Sequence, residues 1–348
     1  MKNSALLFLT LVTIACSQQP NEMVLAEAET TSTHNSLGKE KLSEYGFFSG
    51  PLSDLNPAPN VIGYEVNAPL FSDYALKKRF VFVPEGQKIT YHHTDVFDFP
   101  EGSVLIKNFL FAESSAQEER IIETRLLIRT ASGWEALPYI WNKEQTEAYL
   151  EPAGGEVNIS HQTSEGELLN FDYSIPNQNQ CKNCHARGDQ LMPVGPTARQ
   201  LNKEVNGKNQ LIQWEQQQIL RGVPTSGDFP KLISYENEDA SVELRARSWL
   251  EANCAHCHRK DGPAKTSGLH LLASETNPLQ LGVGKAPVAA GRGSGGLKYD
   301  IVPGAPDKSI LYHRIVSNDP GVMMPELGRK VVHREGAELI SQWIREMK

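Results

Sequence analysis

The chain has 348 residues, 39% of them hydrophobic and 22% charged, with 34 basic against 42 acidic side chains for a formal charge of −8. That length and composition build real cores and exclude a disordered chain. The acidic balance, without a clustered basic stripe, argues against a nucleic-acid partner.

Lys2 leads into a short apolar run, Ala5 to Val12, that closes on Thr13, Ile14, Ala15 and Cys16. The run is too short for a membrane span, which needs about 20 apolar residues, and it reads as a signal peptide over residues 1–15. The tripeptide before Cys16 resembles a bacterial lipobox, which implies lipidation at Cys16 and a membrane anchor. Ser17 rather than Asp after the cysteine implies the outer membrane, with the protein facing the periplasm. Residues 16–40 are polar and lack hydrophobic period, as expected of a flexible tether.

From 41 to 173 the chain alternates short runs rich in Val, Ile, Phe, Tyr and Thr with Pro/Gly punctuation; Arg79 to Val83, Ser103 to Phe111 and Ile121 to Arg129 are examples. This is the texture of a β-rich domain. Its one compact basic run, Lys77, Lys78 and Arg79, could dock an acidic partner but reads more readily as a solvated strand end. Beyond it, helices are expected over Asn209 to Arg221, Ala240 to Asn253, Ile310 to Val316 and Glu335 to Met347. In the second of these, Val242, Ala246, Trp249 and Leu250 fall on one face. The fold class expected is α+β and multidomain: the β-rich domain, then mainly α-helical segments over 174–235 and 236–348.

Apart from Cys16, every cysteine lies in one of two CxxCH motifs, Cys181 to His185 and Cys254 to His258. Two thiols three positions apart on a helical turn reach the two vinyl groups on one porphyrin edge, and the following histidine lies under the iron. The motifs therefore predict two covalently bound haems c, with Cys181, Cys184, Cys254 and Cys257 as attachment points and His185 and His258 as proximal iron ligands. A four-cysteine zinc site is disfavoured, because the interval between Cys184 and Cys254 far exceeds the usual roughly 15 to 20 residues. Disulfides would leave both trailing histidines unexplained.

Met324, just before Pro325, is the expected sixth ligand of the second haem, with Met323 as the alternative. For the first haem the candidates are Met192, His161, His92, His93 or an open position. The loop from His185 to Met192 is short for a crossing to the far haem face, and a backbone carbonyl there would serve to orient the His185 ring. His256, His270, His313 and His333 have no spacing that argues for a role.

The stretch Arg245 to His258 (RARSWLEANCAHCH) resembles the lead-in helix of cytochrome c domains in bacterial multidomain haem proteins. Ile301 to Arg314 (IVPGAPDKSILYHR), followed by Met324, Pro325 and the run Leu339 to Ile344, resembles the second half of the same class I-like domain. Further upstream, Asn67 to Ala75 (NAPLFSDYA), Glu123 to Thr130 (ETRLLIRT) and Trp141 to Thr146 (WNKEQT) are similar to a family of dihaem cytochrome lipoproteins often found beside a parallel β-helix repeat protein. The resemblance implies electron transfer with periplasmic or membrane redox proteins as partners. Two alternatives stand beside it: a dihaem peroxidase or oxidase with an open first haem, and a docking subunit for the β-helix repeat protein. His333 departs from the pattern, since related domains carry Asp before the final helix; its loss removes an N-cap.

Overall fold

The computed structural model describes residues 38–112, 119–163 and 165–348. The expected signal peptide, the lipidation site Cys16 and most of the tether lie outside the described residues. Among those described, no helix is long and apolar enough to cross a membrane.

The dominant element is a six-stranded antiparallel sheet, in the spatial order β1 (Val61–Tyr64), β2 (Leu76–Phe82), β4 (Val104–Ala112), β5 (Glu119–Thr130), β6 (Gly133–Trp141) and β7 (Ala148–Leu150). A two-residue strand β3 (Ile89–Thr90) pairs elsewhere, and β8 (Gly155–Gln162) and β9 (Leu168–Ile175) form a separate hairpin. Alternation along the strands divides the sheet into two faces. One carries Phe80, Val104, Ile106, Leu126, Leu137 and Tyr139 and packs on Leu42, Phe47 and Leu55 from the first described segment. The other carries Val81, Leu105 and Leu127 against Ala198, Leu201, Leu211 and Trp214, and, further along, Phe109 and Ile140 against the β8–β9 hairpin.

The expectation of mainly α-helical haem segments is overturned: the molecule is sheet-rich, and its C-terminal half is loop held between short helices. These are α1 (Gln178–His185), α2 (Ala198–Leu201), α3 (Gln210–Gln216), α4 (Val242–Asn253), α5 (Pro278–Leu281), α6 (Ile310–Ile315) and α7 (Arg334–Glu346). Only α1, α4 and α7 reach eight residues. The cause is visible at α3, where a helix to Arg221 was expected. Gln218 adopts a positive φ of 62°, and Leu220–Arg221 leaves the helix to pair in parallel with β3. The sheet already offers the apolar surface that Leu211, Trp214 and Leu220 need, so burial is satisfied without continuous helix. Side chains take over the backbone's hydrogen bonds: Gln200 exchanges two with Ala68, and Gln210 two with Glu65.

Where periodicity was strongest the helices form. Ser241 caps α4 by accepting from Leu244 N–H, and Ala246, Trp249 and Leu250 are buried against Leu339, Ile340, Trp343 and Ile344 of α7. His333 stands at the N-cap of α7 and makes no capping hydrogen bond.

Residues 67–75 hold the sheet to both later segments. Asn67 donates to the carbonyls of Arg199 and Asn202 at 3.0 and 2.9 Å, and Phe71 N–H donates to Asn253 Oδ1 at 2.8 Å. Asp73 Oδ1 accepts the N–H groups of Lys330 and Val331 at 2.6 and 2.9 Å. The Phe71 ring stacks on His333, centroids 4.3 Å apart. From Gly38 to Lys348 the chain is thus one compact unit.

Candidate functional site

The first motif rides on α1, whose start is fixed by a reciprocal cap. Asn177 Oδ1 accepts from Gln180 N–H at 2.8 Å while the Gln180 side chain accepts from Asn177 N–H at 2.9 Å. Cys181 and Cys184 then fall one turn apart, with His185 at the last position. A tight hairpin, Ala186–Arg187 against Gln190–Leu191, returns the chain so that Met192 N–H donates to His185 O at 2.8 Å. The His185 Nδ1 lies 2.8 Å from the Met192 carbonyl oxygen. A carbonyl only accepts, so Nδ1 bears the proton and Nε2 presents its lone pair. Burial pushes the imidazole pKa down to about 4, keeping the ring neutral.

The second motif follows α4 in a turn rather than within it: Cys257 N–H and His258 N–H both donate to Cys254 O, at 3.1 and 2.9 Å. Gly262 makes the turn possible, since a Cβ there would lie 2.3 Å from the Cys257 carbonyl oxygen. His258 is buried, and its Nδ1 sits 3.0 Å from Ser267 Oγ. That hydroxyl donates to Ala264 O at 2.7 Å, so it accepts from the ring. The outcome matches His185: a neutral ring, its pKa pushed by burial to about 4, with Nε2 left as the electron-pair donor.

The two motifs abut. Cys257 Sγ donates to the Asn183 carbonyl oxygen at 3.6 Å. Arg187 pins the junction, pairing with Asp95 from the sheet segment at 2.7 Å and with Asp261 from the second motif's loop at 2.8 Å. A cavity of about 230 Å³ opens beside Cys181, Cys184 and His185 and reaches Asn253, His256 and Arg329; its other wall is the sheet. No family model, curated protein or solved structure matches the chain.

At the first motif the residues fit a haem, with paired thiols at i and i+3, a neutral imidazole fixed through Nδ1 and an adjoining cavity; the second motif offers the same paired thiols and neutral imidazole, with Cys254 buried in the core. Among the described residues no three His, Cys, Asp or Glu side chains are grouped to hold a metal ion. A porphyrin supplies four iron ligands itself, so such a cluster is not what a haem site requires.

For the sixth ligands the sites differ. Met192 is tied to His185 through its main chain, its N–H donating to His185 O and its carbonyl accepting from the ring Nδ1, and it lines a small cavity with Cys184 and His185. His92 and His93 are exposed, the first accepting from Thr94 and Asp95 N–H groups in a local turn. His161 stacks on Tyr74. Near the second motif Met323 is buried and Met324 half-buried. Met324 is positioned by its main chain: its N–H donates to Arg314 O at 3.0 Å and its carbonyl accepts from Arg329 Nη2 at 3.1 Å. Arg329, itself buried, also donates to the carbonyls of Arg314, Ile315 and Ser317.

Arg329 is not singled out by the sequence, and His333 is singled out only as a missing N-cap. The first serves backbone carbonyls, which leave no sequence signature. The second accepts a buried hydrogen bond from Trp249 Nε1 at 3.0 Å, a contact across 84 residues.

Proposed function

We propose that the protein is an exported dihaem c-type cytochrome that carries electrons in the periplasm, anchored to the outer membrane through lipid on Cys16. Cys181 and Cys184 would hold one haem and Cys254 and Cys257 the other, with His185 and His258 as proximal ligands and Met324 as the sixth ligand of the second. The observation that carries this reading is the matched state of the two histidines. In both, Nδ1–H is engaged by a fixed acceptor and Nε2 is free to bind iron. Bound haem supplies a one-electron iron couple held by thioether bonds. The chain's part is to fix both imidazoles, exclude water by burying His258, and bring the two motifs into contact at Asn183 and Cys257. Periplasmic or membrane redox proteins are the partners proposed, a β-helix repeat protein among them.

Covalent attachment is tested by intact mass and haem staining on denaturing gels. The wild-type protein should carry two haems and Cys181→Ala/Cys184→Ala one; two haems retained in that variant would refute the assignment. Cys16→Ser should release mature protein from the membrane fraction or leave unprocessed precursor.

A second reading, a dihaem peroxidase or oxidase, draws support from the cavity beside His185. Electron paramagnetic resonance of the oxidised protein separates the two. Two low-spin signals support the carrier, and one low-spin with one high-spin signal supports the enzyme.

A further inference from the structure

The wall of the cavity opposite the first motif carries a row of positive charge. Arg79 on β2 is in register with Lys107 on β4, and Lys107 with Arg125 on β5. Directly opposed residues of antiparallel strands share a face, so the three side chains project side by side, and all three line the cavity that holds Cys181, Cys184 and His185. The row on one side is apolar, Val81, Leu105 and Leu127, and the row on the other runs Lys77, Phe109, Glu123 and Ile140. The sequence reading of Lys77 to Arg79 as a solvated strand end thus fails for Arg79. Lys78 alone of the three is exposed, pairing with Glu119 at 2.6 Å.

Like charges directly opposed across strands destabilise a sheet. Arg125 is compensated: its Nε donates to Glu123 Oε2 at 2.8 Å. Among the described residues Arg79 and Lys107 have no ion pair or side-chain hydrogen bond, and the Lys107 Nζ rests over the Phe109 ring, 4.8 Å from its centroid. Glu251, the carboxylate that also lines the cavity, is held by Arg199 at 2.8 Å. Burial, reinforced by Arg79, Lys77 and Arg125, drives the Lys107 amine well below its ordinary range. Half-buried and without an ion pair, Arg79 and Lys107 offer a seat for an anion beside the first motif, and an anion there would restore the charge on the Lys107 amine.

We infer that Arg79 and Lys107 seat the two propionate carboxylates of the haem attached at Cys181 and Cys184, so that the β-sheet forms the distal wall of the first haem pocket. This rests on the dihaem reading. It gives the β-rich segment a role in the haem chemistry: it sets the charge around the first iron.

The test uses the mature full-length protein and the variants R79Q, K107Q and R79K. Intact mass is read first; absence of two covalent haems from the wild type would refute the dihaem reading itself. With two haems present, a redox titration followed by electron paramagnetic resonance tracks each haem. A cation beside the propionates favours the reduced, less positive iron, so R79Q and K107Q, which remove one, should lower the first midpoint. The expected change is about tenfold in the reduction equilibrium, or about 59 mV for one electron. R79K and the second haem should stay near wild type, and the propionate bending modes in resonance Raman spectra should shift in R79Q and K107Q. An unmoved first midpoint with unmoved propionate modes would overturn the inference. So would a K107Q melting temperature above wild type, the sign expected if the row faces no anion and only repels itself. A saturable shift of the wild-type midpoint on adding inorganic phosphate would assign the seat to a free anion instead, and would also overturn it.

Discussion

Cys257 and Asn183 touch, sulfur to carbonyl oxygen at 3.6 Å, although 74 residues separate them. Because Asn183 lies inside the first motif and Cys257 inside the second, the two haems proposed for these motifs would meet at their thioether edges. Electron exchange between them would then be local, and each iron would feel the charge of the other.

A mutual electrostatic effect is the first consequence. Each oxidised haem carries a positive charge that favours reduction of its neighbour, so the two midpoints of the intact protein should lie further apart than those of the separate Cys181→Ala/Cys184→Ala and Cys254→Ala/Cys257→Ala variants. Potentiometric titration measures this directly. Identical values in the intact and single-haem proteins would show that the motifs, though adjacent, do not bring the irons into electrostatic reach.

The two methionines before Pro325 should separate by readout. Met324→Ala should abolish the far-red charge-transfer absorption of a thioether-ligated ferric haem and lower the second midpoint, with covalent attachment intact. Met323 is buried, so Met323→Ala should leave the band and instead cost about 2–5 kcal/mol of stability, read as a lower denaturation midpoint. The reverse pattern would make Met323 the ligand. Arg329→Leu, which removes the donor to the Met324 carbonyl, should weaken the band without touching either sulfur.

His333 makes a pH prediction. Burial holds its pKa near 4, below the ordinary value of about 6.5 that it regains on unfolding. Between those values the unfolded chain binds more protons than the folded one, so stability rises with pH and is lost as pH falls from about 6.5 toward 4. Protonation would also break the Trp249 hydrogen bond, since Nδ1 is its acceptor. Between pH 7 and pH 5 the wild type should lose about 2 kcal/mol more than His333→Gln. Urea midpoints at the two pH values would show it, and equal losses would remove His333 as the cause.

Gly262→Ala should act on one haem only. The added Cβ meets the Cys257 carbonyl oxygen at 2.3 Å, and relieving that contact should cost about 1–3 kcal/mol. Haem content should fall toward one per chain, with the Cys181 site retained. Two haems at the wild-type melting temperature would mean the turn tolerates a side chain.

Much of the architecture is written locally. Alternation over Ser103 to Phe111 and Ile121 to Arg129 gives β4 and β5, and the apolar faces of Ala240 to Asn253 and Glu335 to Met347 give α4 and α7. The residues proposed for haem attachment are equally local, because that chemistry demands a fixed short spacing. What sequence did not reveal is long-range. The periodic run at Leu211 to Leu220 could not announce that the sheet would bury it without a full helix. The alternation of Lys77, Lys78 and Arg79 puts the first and third on one face, but which face is enclosed depends on segments that follow more than 90 residues later, at Pro176 to Gln200. Asn67 to Ala75 could be matched by resemblance, yet its partners Arg199, Asn253 and Lys330 lie scattered along the chain.

The burial of Cys254 bears on the order of biogenesis. In the folded chain that thiol is 7% exposed and belongs to the core formed by Trp249, Leu250, Ile340 and Ile344, where burial drives its pKa up to about 12. Neither an attaching enzyme nor a free haem vinyl group can reach a protonated sulfur in that position. On the dihaem reading proposed above, thioether formation at the second motif would have to come before α4 and α7 close. On that reading a chain that folds early would seal its own second motif, and the rate at which the C-terminal helix docks would set a deadline for cofactor loading.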